Sequence, residues 1–265
     1  MAGRFSFEVV DATDYDDLRP RYAPEAVAWV AQRASLGSGS VVIDLAAGTG
    51  QLSGPFAEFG ARVIAVEPAT NMAAVLHARM PMVRIEPGTA EAIPVDDRSA
   101  DLVVVGNAFH HFVRQRAFAE VARVLKPGGI LALFWAWPLE DEQRSITGMQ
   151  ALYDVVDAAR GSNDIAIAYR SWAEPPARAH GFGPFERREF RVTHEIPSAR
   201  LADLFATSSD VASMPSEARE DLLDRIRELA SGFPEILRLP GRSVVDLCAR
   251  DALRIGSHGG EGESG

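Results

Sequence analysis

Short runs of apolar residues alternate with amphipathic segments through the first half of the chain. Each run is short enough for a buried strand, and the segments between the runs repeat apolar positions at helical spacing. Alternation of this kind predicts an α/β protein with a doubly wound, mostly parallel sheet. The predicted strands are residues 41–45, 62–66, 82–85, 101–105 and 130–135, and the predicted helices are residues 24–34, 52–59, 71–79 and 112–125.

The second half of the chain has a different pattern. Residues 140–160 predict one further amphipathic helix, and residues 185–192 and 244–248 predict two more strands. The segment between those strands, residues 198–239, predicts two or three helices and is too long for a simple crossover. We therefore expect a seven-stranded sheet with a small helical cap.

These patterns divide the chain into four parts. Residues 11–20 are polar and acidic and end in Arg-Pro, so we expect a loop or short turn before the first helix. The last ten residues offer no apolar side chain to bury and are expected to be disordered. The parts are an N-terminal segment with its helix at residues 1–39, a ligand-binding core at residues 40–138, a region that completes the sheet and forms the cap at residues 139–255, and a tail at residues 256–265.

A glycine-rich turn follows the first predicted strand. The strand ends in Asp44 and Leu45, and Gly48 and Gly50 come soon after it. Glycine adopts backbone angles that other residues avoid, and it lets a ligand approach the main chain. The second strand ends in Glu67, an acid that could accept hydrogen bonds from two ribose hydroxyls.

Dinucleotide-binding folds place a similar turn, G-x-G-x-x-G, at this position. Here Ser53 occupies the third glycine position, which those folds need for close packing of helix and strand over a pyrophosphate. The chain also lacks a catalytic Tyr-x-x-x-Lys motif. An NAD-dependent oxidoreductase is therefore disfavoured, and NAD is not expected to bind.

Four segments carry a resemblance to a known family: VVIDLAAGTGQLS, VIAVEPATNM, GTAEAIPVDDRSADLVVVGNAFHHF and EVARVLKPGGILALFW. In this order and spacing they resemble the class I S-adenosylmethionine-dependent methyltransferases, over most of residues 11–137. The chain is similar to the small-molecule branch with a methyltransferase type 11-like domain, which carries YDxxRPxY before the first strand, here at residues 15–22. The resemblance implies a Rossmann-like fold, with S-adenosyl-L-methionine as cofactor and S-adenosyl-L-homocysteine as product.

The resemblance also implies a set of cofactor-binding residues. Glu67 would hold the ribose, and Asp44 would support the turn or the cofactor amine through water. Helix N–H groups after the turn would face the cofactor carboxylate. An N-terminal lid containing Tyr15, Arg19 and Tyr22 would also meet this carboxylate and exclude water. The full set is Tyr15, Arg19, Asp44, Ala46, Gly48, Gly50, Glu67, Pro68, Met72, Thr89, Ala90, Glu91 and Asn107, of which Thr89 to Glu91 would contact the adenine.

Two members of this set carry specific expectations. Ala46 stands where the family usually has glycine, and we expect it to narrow the ligand space by one methyl group only. Glu67→Gln is expected to weaken cofactor binding at least about tenfold. The same change should leave the stability of the free protein nearly unaltered, because it opens no cavity in the core.

His110 and His111 follow the fourth strand, where doubly wound folds bind ligands, and they are the candidate catalytic residues. Imidazole titrates near neutral pH, so one of them could act as general base on an acceptor hydroxyl or amine. A positioning role without proton transfer stays open.

Trp135 and Trp137 would form either an aromatic wall for the acceptor or part of the core. No metal is expected, because the adjacent histidines should point apart and the others lack ligand spacing.

Composition limits the partners of the protein. The chain has 265 residues and a formal charge of −10, which repels phosphate backbones, so nucleic acid is not expected as a substrate. Cys248 is the only cysteine, which excludes an internal disulfide and favours a reducing cytoplasm. The sequence shows neither a signal peptide nor an apolar run near the roughly 20 residues of a membrane span. We expect a cytoplasmic monomer or homodimer that does not bind a membrane.

Two functions agree with these features. The first is methyl transfer to an oxygen or nitrogen atom, in preference to carbon, of a small-molecule acceptor such as a carboxylic acid or secondary metabolite. The second is an S-adenosylmethionine-binding protein of the same fold that regulates or catalyses a reaction other than methylation, because fold alone does not fix function.

Overall fold

One sheet of seven strands runs through the structure, a computed structural model that describes Glu8, residues 10–160, Ala179 and residues 181–251. The strands are β1 (Val41–Leu45), β2 (Arg62–Val66), β3 (Arg84–Glu86), β4 (Ala100–Gly106), β5 (Leu125–Pro138), β6 (Glu186–Pro197) and β7 (Ile236–Ala249). Their order in the sheet is β3-β2-β1-β4-β5-β7-β6. Neighbouring strands are parallel except at β7, which is antiparallel to β5 and to β6. The predicted α/β fold with a mostly parallel, seven-stranded sheet is confirmed.

Helices cover both faces of this sheet. Within the described residues they are α1 (Ala12–Leu18), α2 (Pro24–Arg33), α3 (Ser53–Ala57), α4 (Thr70–Arg79), α5 (Arg114–Val124), α6 (Glu140–Arg144), α7 (Met149–Arg160), α8 (Leu201–Ala206), α9 (Ser209–Ala212) and α10 (Ser216–Ala230). Two short 3₁₀ turns lie at Phe109–His111 and Ser198–Arg200. Strand residues alternate between the faces, so Ile43 packs towards α5 while Val42 packs towards α2 and α3.

Most of residues 11–20, where we expected a loop, lies in helix α1 (Ala12–Leu18). The carboxylate of Asp11 caps the start of α1 by accepting the N–H groups of Thr13 and Asp14, both at 2.9 Å. Leu18 is buried at the other end, and the chain becomes extended at Arg19, before the proline. The acidic side chains hid this helix because they act as its cap and as ion-pair partners, which a polarity pattern does not distinguish from a loop.

Residues 140–160 form two helices, α6 and α7, rather than one. Gly148 lies between them with φ +85°, a left-handed conformation that favours glycine. The ring of Phe233 occupies the place where a side chain at this position would point. The break lets α6 turn onto β7, where Gln143 Nε2 donates to the carbonyl of Pro240 at 2.6 Å.

Strands β6 and β7 are longer than the sequence predicts. They pair from Glu186 to Pro197, and β7 begins at Ile236 inside the segment assigned to the cap. Pro240 and Gly241, which usually weaken a strand, obscured the alternation of Leu237 and Leu239. The extension projects beyond the main sheet and provides the surface on which the cap packs.

The cap is built on one apolar cluster. Leu152 and Val156 of α7, Leu201 of α8 and Ile226 of α10 are fully buried in it. Leu18 of α1 belongs to the same cluster, so the N-terminal helix is packed against the cap. The boundaries proposed for the four parts of the chain stay a prediction. The helix end expected at residues 161–163 and the tail at residues 256–265 lie outside the described residues.

Candidate functional site

The floor of the site is the turn that joins β1 to α3. The N–H groups of Ala46 and Ala47 both donate to the carbonyl of Val66, at 2.8 and 3.2 Å, which fixes the turn to the end of β2. Gly48 follows with φ +57°, and the space beside its Cα is open to at least 4 Å. A ligand can therefore approach the main chain closely at Gly48.

Ala46 also lies in the left-handed region, with φ +56°. This conformation brings Cβ too close to the following carbonyl oxygen and costs an L-residue roughly 1–2 kcal/mol. The alanine therefore adds backbone strain as well as a methyl group, so the expectation of an added methyl alone is incomplete.

Glu67 lies directly beneath the turn and is 7% exposed. Its Oε2 accepts the N–H of Gly48 and its Oε1 accepts the N–H of Ala69, both at 2.7 Å. Burial raises the pKa of this carboxyl group, and the two backbone hydrogen bonds oppose the rise. Each oxygen of a carboxylate has two acceptor positions, so one on each oxygen can still receive a donor such as a ribose hydroxyl.

Asp44 is the second buried acid of the site. It is 2% exposed, and its Oδ2 accepts a hydrogen bond of 2.6 Å from Ser53 Oγ. Burial raises the pKa of Asp44 to about 7, with Glu67 adding to the rise and Ser53 opposing it. A group in such surroundings gains strongly from a cationic ligand.

Two adjoining cavities lie over the floor, one of about 170 Å³ and one of about 30 Å³. They share a wall formed by Tyr15, Ala46, Gly48 and Gly106. The smaller cavity also contains Asp44. The predicted residues that line the larger cavity are Tyr15, Ala46, Gly48, Glu67, Pro68, Met72, Thr89, Ala90, Glu91, Asn107 and His111.

Gly50 and Arg19, from the predicted set, are not among the residues that line either cavity. Gly50 has φ +88°, and a Cβ there would meet the side chains of Met80 and Leu76, so this glycine serves the packing of α4. Arg19 turns towards the cap, where its Nη2 donates to the carbonyl of Thr207 at 2.8 Å.

The segment predicted to contact adenine forms one wall of the larger cavity. Thr89 and Ala92 exchange backbone hydrogen bonds of 3.1 and 3.4 Å, which folds the segment into a tight turn. Ala90 is 4% exposed, and Glu91 Oε1 accepts the N–H of Val113 at 2.8 Å. The carboxylate of Glu91 is thereby tied to the chain just before α5.

Asn107 closes the opposite side of the cavity at the end of β4. It has φ +49°, and its N–H donates to the carbonyl of Phe134 at 2.8 Å. Its side-chain Oδ1 accepts the N–H of Ala136 at 2.9 Å. The side chain therefore ties β4 to β5, rather than capping the following helix.

The rings of the two histidines contact each other, with centroids 3.9 Å apart and planes tilted by 43°, so the expectation that they point apart is wrong. They share a 3₁₀ turn, which places consecutive side chains closer than a strand would. His111 lines the larger cavity, whereas His110 packs against Trp135 with ring centroids 5.8 Å apart. Burial, His111 and Arg114 lower the pKa of His110 to about 3, which makes it a weak base.

Comparison with known proteins adds to this geometry. Residues 43–133 match the family model described as a methyltransferase domain. An uncharacterized methyltransferase of Mycobacterium tuberculosis is 34% identical over 241 residues, which cover 90% of this chain and 92% of the relative. An uncharacterized methyltransferase-like protein of Schizosaccharomyces pombe is 28% identical over 239 residues, or 90% of each chain.

The protein belongs to the class I S-adenosylmethionine-dependent methyltransferases.

A solved structure agrees in fold. A candidate type II methyltransferase from Anaeromyxobacter dehalogenans superimposes with a TM-score of 0.61 and 24% identity, and the match covers 88% of this chain and 98% of that chain. The strand order of this methyltransferase, with a single antiparallel strand between β5 and β6, provides the frame on which both cavities are built.

Helix α1 contributes to the wall of the methyltransferase site. Tyr15 lines both cavities. The buried carboxylate of Asp16 accepts a hydrogen bond of 2.6 Å from Thr49 Oγ1 in the floor turn, and it forms a salt bridge of 2.6 Å with the half-exposed Arg79 of α4. These two contacts of Asp16 attach the N-terminal segment to the floor of the site and to α4.

Several lining residues were missed by the sequence reasoning. Gly106 ends β4, and a Cβ there would lie 2.6 Å from the hydroxyl of Tyr22. The glycine that ends the apolar run LVVVG was the available signal. Gln51 gave no signal, because a polar residue after a glycine turn has no special pattern. The remaining missed residues are Gly88, Ala108 and Phe112 in the larger cavity and Ala47, Thr49 and Leu52 in the smaller one.

Trp135 is 1% exposed and packs in the apolar cluster on the α5 face. Trp137 packs against the edge of the same cluster, with its ring centroid 6.5 Å from that of Trp135. Of the two roles expected for this pair, the core role accounts for Trp135.

In the described part of the chain, no three His, Cys, Asp or Glu side chains are arranged to hold a metal ion. Nor does any described helix have the length and hydrophobicity to cross a membrane.

Proposed function

We propose that this methyltransferase moves the methyl group of S-adenosylmethionine to an oxygen or nitrogen atom of a small molecule. The observation that carries the proposal is the pair of adjoining cavities over a floor with two buried acids. A ligand with a ribose and a cationic end fits this arrangement, because each feature has an acidic partner in place.

The residues fit the cofactor in three ways. Glu67 is held by two backbone N–H groups and keeps one acceptor position on each oxygen, which suits two ribose hydroxyls. Gly48 leaves the main chain open to close approach. Asp44 is buried, and no cationic side chain of the described residues pairs with it, so a cofactor ammonium group would stabilise its carboxylate and oppose the rise in its pKa.

The sulfonium of the cofactor supplies a methyl group that is already bonded to a good leaving group. The protein then needs mainly to hold the acceptor in line with that methyl group. His111 and Phe112 follow Asn107 closely in the chain and line the larger cavity with it, and Tyr15 of α1 also lines this cavity. We assign the acceptor to this part of the cavity, with His111 as the side chain that orients it or takes its proton.

A small acceptor also agrees with the charge of the protein. The formal charge of −10 opposes the approach of nucleic acid, and α1 covers the cavities on the outside. Carboxylic acids, phenols and amines are the acceptor classes whose reacting oxygen or nitrogen could enter a cavity of about 170 Å³.

Titration calorimetry followed by a methyl-transfer screen tests this function. S-adenosylmethionine and S-adenosylhomocysteine should bind, and NAD should not. At 100 times the dissociation constant, ligand binding should stabilise the folded protein by about 2.7 kcal/mol, which a thermal melt detects. The screen should then find an acceptor in a panel of small carboxylic acids, phenols and amines. Binding of NAD without binding of S-adenosylhomocysteine would overturn the proposal.

A further inference from the structure

Gln51 carries a hydrogen-bond donor that the protein itself does not use. Its side-chain Nε2 is buried and has no hydrogen-bond partner in the part of the chain that the structure describes. Gln51 lines the smaller cavity together with Ala46 and Gly48, which also line the larger one. A buried amide without a partner costs roughly 1–3 kcal/mol, so its presence in a cavity points to a ligand atom that accepts its hydrogen bond.

The two cavities give the ligand a direction. Glu67 and the Thr89–Glu91 segment line only the larger cavity, and these are the partners proposed for the ribose and the adenine. The other end of the cofactor must then cross the shared wall at Gly48 into the smaller cavity. A volume of about 30 Å³ suits a small polar end group and excludes a ring.

The smaller cavity has partners for both charges of an amino acid. Asp44 is an acid that is 2% exposed, and it suits an ammonium group. The matching carboxylate needs a donor. Helix α3 supplies little for this purpose, because it has only five residues and begins at Ser53, three positions after Gly50. We expected helix N–H groups to hold the carboxylate, but this helix is too short for that role. Gln51 is a side-chain donor that lines the cavity and has no hydrogen-bond partner among the described residues, whereas the Thr49 hydroxyl already donates to Asp16.

We propose that the amide of Gln51 donates a hydrogen bond to the carboxylate at the amino-acid end of the cofactor. Gln51 then makes the site selective for ligands that carry this carboxylate. The inference rests on the proposed function, because it takes S-adenosylmethionine as the ligand.

The test compares two ligands that differ only in this group. S-adenosylhomocysteine has both the ammonium and the carboxylate, and its decarboxylated analogue keeps the ammonium alone. Calorimetry on the full chain should show that Gln51→Leu lowers the affinity for S-adenosylhomocysteine by about 10- to 100-fold, as expected for a hydrogen bond to a charged group. The affinity for the decarboxylated analogue should change less than about threefold.

A second variant keeps the shape of the side chain. Gln51→Glu places a negative charge against the ligand carboxylate and near its ammonium. The preference should therefore reverse, so that the decarboxylated analogue binds more tightly than S-adenosylhomocysteine. Asp44→Asn is the matched control: it should weaken both ligands by a similar factor, because both carry the ammonium group.

Two results would overturn the inference. Gln51→Leu and Gln51→Glu could weaken both ligands equally, which would show that Gln51 only packs the turn. They could also leave both affinities unchanged, which would place the carboxylate elsewhere. Failure of the proposed function looks different, because wild-type protein would then not bind S-adenosylhomocysteine. Thermal melts of the free variants show whether each one is folded.

Discussion

The floor of the cofactor site and the helical cap are stabilised in different ways. In the floor, buried polar atoms are paired one by one: Glu67 accepts two backbone N–H groups, and Asp44 accepts the hydroxyl of Ser53. In the cap, apolar side chains such as Leu152 and Ile226 are fully buried against each other. The floor holds fixed groups for a ligand and includes strained backbone at Ala46, whereas the cap contributes apolar burial.

The two regions meet at α1. Leu18 packs in the cap cluster, and Asp14 pairs with Arg200 at 2.7 Å. On the other side of the same helix, Asp16 contacts Thr49 and Tyr15 lines both cavities. The cap should therefore affect ligand binding through the packing of α1 and of the cluster around Met72, against which Ala212 of the cap packs, and the floor should affect it directly.

The largest effect on stability is expected from a change in the cap. Leu152→Ala removes a fully buried side chain and should cost about 2–5 kcal/mol of unfolding free energy. Affinity for S-adenosylhomocysteine, measured by calorimetry well below the melting temperature, should stay within about threefold of wild type. The prediction holds only if α1 keeps its position when the cap is weakened.

Leu76→Ala is the matched control beneath the floor. Leu76 is equally buried, but it packs with Ala47 and against Gly50. This variant should lose a similar amount of stability and should also bind S-adenosylhomocysteine about tenfold more weakly, because the turn loses its support. Equal losses of affinity in both variants would show that the two regions do not act separately.

The next effect is expected at Glu67. Glutamine has one acceptor oxygen, so Glu67→Gln brings an NH₂ group against the N–H of either Gly48 or Ala69. Calorimetry should show at least tenfold weaker binding of S-adenosylhomocysteine, and the free protein should lose about 1–3 kcal/mol. The loss of stability revises the expectation from sequence, in which Glu67 had no role in the free protein.

Glu86→Gln provides the control for this variant. Glu86 ends the neighbouring strand β3, and its side chain pairs with Arg84 rather than with the floor. Neither the affinity nor the stability should change by more than about 0.5 kcal/mol. If Glu67→Gln lost stability but kept wild-type affinity, Glu67 would be a purely structural acid.

The sequence predicted the frame of the site better than its internal contacts. β1 and β2 have the predicted bounds, because each is a short, mostly apolar run that is followed closely by a glycine turn or an acid. The position of Glu67 followed from the same pattern. Its contact with Gly48 did not, because the donor is a backbone group 19 residues away and no residue type marks it.

Two of the missed elements share one physical cause, which is that their partners lie far away in the chain. Helix α1 depends on Arg79 and Arg200, and the break at Gly148 depends on Phe233. The contact between the two histidine rings has a local cause instead, a 3₁₀ turn that the apolar pattern did not reveal. Local periodicity contains none of this information.

A smaller effect is expected at His111, on the acceptor side of the floor. If the protein acts by positioning, His111→Gln should lower turnover less than about tenfold; a general base would cost roughly 100-fold or more. We expect the smaller loss, because a carboxylate or free amine needs little or no deprotonation. Turnover with the acceptor found in the screen is the measurement. A 1000-fold fall with intact cofactor binding would contradict positioning and indicate a hydroxyl or ammonium acceptor.

The smallest effect is expected at Ala46, where the floor is strained. Ala46→Gly should raise the unfolding free energy by about 0.5–1 kcal/mol, because relief of the left-handed conformation exceeds the added entropy of the unfolded chain. Ala47→Gly is the control: the neighbouring residue is buried without a positive φ, so the same change should cost about 1 kcal/mol. Thermal or denaturant unfolding measures both. Opposite signs would locate the strain at Ala46, and two losses would show that its methyl group stabilises the turn more than its backbone weakens it.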